Sequence, residues 1–240
     1  MWTPTALASE LGDYRGTVWR LVEAQHRIST NRLAESVDDQ TRLKALAEAA
    51  KPDLPKAAHG LHYLLASPFR YGHGTASRFR RASVRPGIFY ASEAEATALA
   101  ETAYWRLRFY ARSPGFAPPS ATSEHTSFTV EVATSRALDL TRDPFAAQSE
   151  AWTDPVDYAP CQELAAHARQ AGVAVIRTIS ARDPARGCNI AVLLPEAFAT
   201  AQPAIRRTWH LRFDSGHLTA LAAFPADDRF VFTSADFGLA

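Results

Sequence analysis

The sequence predicts an α+β fold with a mostly antiparallel β-sheet core and flanking helices. Two observations predict it. Runs that read as strands outnumber helical stretches, and the two do not alternate as a doubly wound fold would require. The tail from Trp209 to Phe232 reads as successive strands, WHLRF, LTALAAF and RFVFT, joined by the turn residues DSG and PADD, which is the pattern of antiparallel neighbours. At 240 residues, 47% of them hydrophobic and 21% charged, the chain has the composition of a globular protein and the length for one sizeable domain. The segment SPGFAPPS is the clearest internal linker. It separates two halves of one domain, because neither half carries enough strands to close a core.

Taken in order, residues 17–23, TVWRLVE, alternate as a strand, with Val18, Arg20 and Val22 on one face and Trp19 and Leu21 on the other. DDQTRLKALAEAA, residues 38–50, has the acidic start and composition of a helix, ended by Lys51-Pro52. The stretch from Pro52 to Arg85 reads as irregular, and its aromatic residues Tyr63, Phe69, Tyr71 and Phe79 argue against disorder. GIFYA gives a strand over 87–91, and the alanine-rich segment after it a helix over 93–111. Ser92 is the expected N-cap of that helix, with Glu95 its reciprocal partner in an S-x-x-E capping box. SFTVEVAT alternates as a strand, and PCQELAAHARQAG forms an amphipathic helix closed by Gly172. Strand VAVIRTIS, the loop ARDPARGC and strand NIAVLL follow.

Composition excludes several classes of function. Twenty-six basic and 25 acidic residues leave a net charge of +1, so no global field draws nucleic acid or anionic membrane. Cys161 and Cys188 make neither a metal spacing nor a disulfide framework, which suits a reducing compartment. The opening MWTPTALASELGDYRG lacks a basic n-region and an apolar core, and no apolar run has the length to cross a bilayer, so a cytoplasmic location is expected. His59, His62 and His73 share one region without an H-E-x-x-H pattern or a cysteine pair, so no metal site is expected. Neither G-x-S-x-G nor a P-loop pattern occurs.

Four features remain that can carry chemistry. Glu101 has Thr97, Ala98, Tyr104 and Trp105 one turn away and no Lys or Arg to pair with. Its alanine-rich face suits either solvent or a buried cleft. Arg20 lies mid-strand, either snorkelling to water or binding an anion with its planar fork. SRFRR, residues 77–81, sets Phe79 among three arginines, as a solvated loop or as a grip on phosphate. Ser180 ends a strand beside Asp183 and Asn189, where capping a turn is the plain alternative.

Together these segments resemble the RES domain. WRLVEAQH resembles the family's opening strand and turn, with its Arg at Arg20 and a frequent His at His26. SRFRRASVRPGIFYAS is similar to its turn and next strand, carrying Arg78 and Tyr90, although Ala76-Ser77 stand where Gly-Gly is usual. ATALAE supplies the Glu at Glu101. CQELAAHARQAGVAVIRTISARDPARGCNIAVL is similar to the C-terminal helix–strand–loop–strand, with Ser180 and Asn189. Some members carry their serine just before the Cys-Gln pair, where this chain has Ala159-Pro160.

The resemblance implies an ADP-ribosyltransferase-like fold with a split sheet. It implies an N-terminal arm over 1–16, a catalytic domain over 17–200 and a β extension over 201–240 packed on the same domain. It implies an enzyme that consumes NAD as substrate without a further cofactor, the toxin of a toxin–antitoxin pair neutralised by an Xre-type antitoxin. Cleavage of the nicotinamide–ribose bond by hydrolysis or phosphorolysis is the leading expectation, with mono-ADP-ribosyl transfer to a protein as the alternative. A non-catalytic nucleotide- or RNA-binding protein using Arg78 to Arg85 is the other class. Arg20, Tyr90, Glu101 and His26 are then the catalytic group, and Arg78, Ser180 and Asn189 bind substrate. Neither direct nucleic-acid contact nor a membrane is expected, and self-association stays open.

Overall fold

The computed structural model describes residues 2–23, 36–113, 115, 122–214 and 216–239. Its sheet is organised by β3 (Ser123–Asp139), whose Phe128, Val130 and Val132 are buried on one face and Ser127 and Thr129 on the other. β1 (Gly12–Glu23) runs antiparallel along one edge of β3, from Gly12↔Ala137 to Glu23↔His125. The opposite edge is divided between two partners. Ser123–Thr129 pairs antiparallel with β6 (Ala204–Asp214), and Ala137–Asp139 pairs in parallel with β4 (Val175–Ile179). From β4 the pairing continues antiparallel to β5 (Cys188–Val192) and then to β2 (Phe89–Ser92), which meets β1 again at Trp19↔Ser92. The pairings β1–β2–β5–β4–β3 therefore return on themselves. β7 (His217–Ala222) and β8 (Arg229–Thr233) extend from β6 as an antiparallel meander. The fold is α+β, as the strand-rich pattern predicts, with β3–β4 the parallel pair.

Three apolar clusters hold the layers together by removing their side chains from water. Inside the closed part of the sheet, Val18, Phe89, Phe128, Val130, Val175, Ile190 and Val192 pack together with Leu65 and Phe69. Outside it, α6 (Ala159–Gln170) lays Leu164, Ala165 and Ala168 on Leu138, Ile176 and Leu193. Gly172 closes α6 at φ +69, a conformation that glycine adopts without steric cost. In the third cluster, α4 (Glu95–Ala111) sets Leu99, Ala103 and Leu107 against Trp209, Leu211, Leu218, Ala220 and Phe232 of the last three strands. No described helix is long and apolar enough to cross a membrane.

The structure departs from the sequence reading in three segments. Pro52–Arg85 is not irregular throughout, because it contains α3 (Tyr63–Arg70). Pro68 inside that helix breaks the pattern and removes one backbone donor, but Leu65, Ala66 and Phe69 are buried and tertiary packing outweighs the loss. The second departure is the capping box. Ala94, not Ser92, is the N-cap of α4, and it makes no side-chain cap. Ser92 stays in β2 with its hydroxyl on Asn189, while Glu95 accepts from Trp209 Nε1 at 2.8 Å and pairs with Arg207 at 3.0 Å. Partners distant in sequence outcompete the local cap. β1 also starts five residues before the predicted strand, since β3 offers it a full-length edge. His26 and nearly all of the SPGFAPPS linker lie outside the described residues.

Candidate active site

α4 presents two stripes about 140° apart, at 3.6 residues per turn. Leu99, Ala103 and Leu107 enter the core, whereas Ala98, Glu101, Thr102 and Trp105, at i, i+3, i+4 and i+7, line a cavity of about 250 Å³. The alanine-rich face that the sequence left ambiguous is thus the wall of a pocket. The opposite wall is the outer face of β2 and β5. Tyr90 stands opposite Ala191 and Ser92 opposite Asn189, so all four side chains point the same way.

Glu101 finds the partners its own helix lacks. Oε1 accepts from Ser180 Oγ at 2.7 Å and from Asn189 Nδ2 at 2.5 Å. Oε2 takes no hydrogen bond from the described residues, so one oxygen is anchored and the other is free for a ligand. Ser180, 3% exposed, sits behind the carboxylate rather than in the cavity wall. Its Oγ also receives the backbone N–H groups of Arg182 and Asp183, at 3.1 and 3.0 Å. The turn-capping role and the contact with Glu101 therefore coexist.

Three guanidinium groups line the same cavity, and no described carboxylate pairs with any of them. Arg20 donates to the Tyr90 carbonyl at 3.2 Å and lies 4.7 Å from the centre of the Phe89 ring. Burial pushes it down to about 10. Arg78 donates to the Trp152 carbonyl at 2.9 Å and stacks 4.8 Å from Tyr158. Arg182, 6% exposed, lies 3.8 Å over the Tyr104 ring and bonds to the Pro155 carbonyl and the Tyr158 hydroxyl. Sequence reading passed over Arg182. The chain did carry a signal, an arginine two residues past the strand-ending serine, but nothing local shows that its loop folds over α4.

The SRFRR run separates into three roles. Arg78 reaches the cavity, and Arg81 is exposed. Arg80 is buried, donating to the carbonyls of His73, Thr75 and Arg81 of its own loop. The same loop holds Tyr90, whose hydroxyl lies 2.8 Å from Ser77 Oγ and accepts from the Phe79 N–H at 3.2 Å. Burial pushes that phenol up, against the pull of those two hydrogen bonds and of the nearby Arg80 and Arg169 charges. Of the seven residues singled out from sequence, Arg20, Arg78, Tyr90, Glu101 and Asn189 line one cavity, Ser180 supports it, and His26 falls outside the described residues.

The model of the RES domain matches residues 54–214. The chain belongs to the RES-domain family. Glu101, Tyr90, Arg78, Ser180, Asn189 and Arg182 fall inside the matched RES segment, while Arg20 precedes it and β7 and β8 follow it. A search of the curated proteins returned no match. Among solved structures, a chain of the M. tuberculosis MbcT–MbcA toxin–antitoxin complex is similar with a TM-score of 0.47 and 13% identity, over 86% of this RES-domain protein and 92% of that chain.

Proposed function

We propose that this RES-domain protein cleaves the nicotinamide–ribose bond of NAD, and that it does so as the toxin of a toxin–antitoxin pair. The observation that carries the reading is the charge pattern of the cavity. One carboxylate, anchored through Oε1 with Oε2 free, shares the cavity with three guanidinium groups, none of them in an ion pair with a described carboxylate. Asp154 lies within electrostatic reach of two of them, Arg78 and Arg182. Cations drawn out of water without a paired counter-charge are costly unless a ligand supplies one, and a dinucleotide brings two phosphates. Arginine forks suit phosphate oxygens, and the aromatic rings of Tyr90 and Trp105 suit a planar base. On this reading the fold is ADP-ribosyltransferase-like, with the divergence of β4 and β6 from one edge of β3 as the split of its sheet.

The chemistry follows from the residue types. As the bond between ribose C1′ and the pyridinium nitrogen breaks, nicotinamide leaves as a neutral molecule with the bonding pair, and positive charge develops on the ribose. A carboxylate held against the ribose hydroxyls stabilises that charge, by analogy with glycoside hydrolysis. An oxygen of water or phosphate then bonds to C1′. The same cavity serves the alternative, transfer of ADP-ribose to a protein side chain. NAD is a substrate here and no further cofactor is needed. An Xre-type antitoxin is the partner that the family resemblance implies.

The test incubates purified protein with NAD, with and without phosphate, and follows free nicotinamide. Wild type is expected to release it. Glu101→Gln, which keeps the shape and removes the charge, is expected to slow release by about 100- to 1000-fold. No release under any condition, including with cell lysate as acceptor, sinks the enzymatic reading. Labelled ADP-ribose on a protein band selects the transferase.

A further inference from the structure

We propose that Ser92 is a positioning residue for the Glu101 carboxylate, acting through Asn189. The inference rests on Glu101 being the group that meets the ribose. Asparagine alone does not fix a carboxylate, since its oxygen and its amino group are nearly equal in shape and either can face the cavity. The carboxylate, which only accepts, selects the amino group, and Ser92 holds the amide in that orientation by donating to the oxygen on its other side. It stands directly across the β2–β5 ladder from Asn189, and is 2% exposed. Its Oγ donates to Asn189 Oδ1 at 2.7 Å. With Oδ1 held by Ser92, Nδ2 stays on Glu101 Oε1, 2.5 Å away.

The direction of every bond is fixed by donor inventory. A carboxylate only accepts. Ser180 Oγ receives two backbone N–H groups, so its own proton goes to Glu101. Ser92 to Asn189 to Glu101 is therefore a one-way chain, closed from the other side by Ser180. The two donors saturate Oε1 and hold Oε2 toward the cavity. The capping-box pattern in the sequence hides this role, because a serine just ahead of a helix reads as an N-cap.

Ser92 also borders the cavity, so direct contact with substrate is the rival explanation. Steady-state nicotinamide release by wild type, Ser92→Ala, Ser92→Thr, Asn189→Ala and the Ser92→Ala/Asn189→Ala double variant separates the two. Ser92→Ala is expected to lower kcat about five- to tenfold, the worth of one buried hydrogen bond, with KM within about twofold. Ser92→Thr keeps the hydroxyl and is expected to restore most of kcat. The double variant is expected to be no slower than Asn189→Ala, because Ser92 acts only through that amide. An unchanged kcat in Ser92→Ala, a loss confined to KM, or losses that multiply in the double variant would overturn the proposal. If wild type releases no nicotinamide, the cleavage reading fails and the chain is then read by amide NMR. Ser92→Ala must shift the Asn189 side-chain NH2 resonances while the backbone amides of β2 and β5 hold their positions. Unmoved Asn189 resonances reject it.

Discussion

Arg20 brings a guanidinium into the closed part of the sheet, where it meets the Tyr90 carbonyl and the Phe89 ring but no described carboxylate. Burial holds it down to about 10, so at neutral pH it is charged, and the folded apo protein bears the cost of that charge. For a basic group the sign is definite. A lowered folded value means that the charged form is disfavoured by folding, and the cost persists at every pH below about 10. Replacing Arg20 with the neutral, similarly long methionine should therefore stabilise the apo fold by about 1 kcal/mol, a rise in Tm of about 2–4 °C for a chain of this size. If the proposed cleavage is right and Arg20 meets the phosphates, the same change should abolish nicotinamide release. A fall in Tm together with retained activity would place Arg20 among the structural arginines, with Arg80.

At the scale of elements, the loop between β4 and β5 sets the site, because it joins the strand end at Ser180 to Asn189. Gly187 in that loop lies so close to α4 that an added Cβ would sit 2.1 Å from Thr97 Oγ1 and 2.7 Å from Asp183 Oδ2. Asp183 in turn accepts from Thr97 Oγ1 at 2.7 Å. Gly187→Ala should cost about 1–3 kcal/mol by overpacking, read as a lower urea midpoint, and should slow nicotinamide release by moving Ser180 off Glu101.

A second tie joins β4 to the end of β3 and to the residue that follows β2. Arg177 of β4 grips both oxygens of Glu93 at 2.8 and 2.9 Å and reaches Asp139 of β3 at 3.3 Å. Hydrogen bonding to Glu93 raises the Arg177 value further. Burial alone would raise the Asp139 carboxyl, but bonds from Thr141 and the Arg177 charge outweigh it, and the net shift is downward. Asp139 therefore contributes stability above the ordinary carboxylate range. That contribution is lost as pH falls below about 4 and through its depressed folded value. Urea unfolding followed from about pH 6 downward, through the carboxylate range near 4, should show an acid loss that is smaller in Asp139→Asn than in wild type.

Over the whole molecule, the strands after the RES match are part of the machinery that holds Glu101. Leu218, Ala220 and Phe232, on β7 and β8, share a core with Leu99, Ala103 and Leu107 of α4. That core fixes the rotation of α4, and the rotation decides whether Glu101 faces the cavity. Leu218→Ala should cost about 2–5 kcal/mol by leaving a cavity in this cluster. It should also lower activity, although Leu218 does not line the pocket. Wild-type stability and activity in Leu218→Ala would make the last strands an independent appendage.

By itself the sequence determined most of the elements and their order, though not α3, because alternation and helical spacing are local and act within a few residues. It also showed Glu101 to be unusual, since the absence of a cation one turn away is visible in ATALAETAYW. It left the face of α4 ambiguous, because alanine suits solvent and core alike. It misassigned Ser92 and passed over Arg182. Only the tertiary structure decided those points. The bonds that settle them join Glu101 to Ser180, Glu101 to Asn189 and Ser92 to Asn189, across 79, 88 and 97 residues of chain. No periodic pattern reports such pairs, because their partners become neighbours only when β2, β5 and α4 are packed around one cavity.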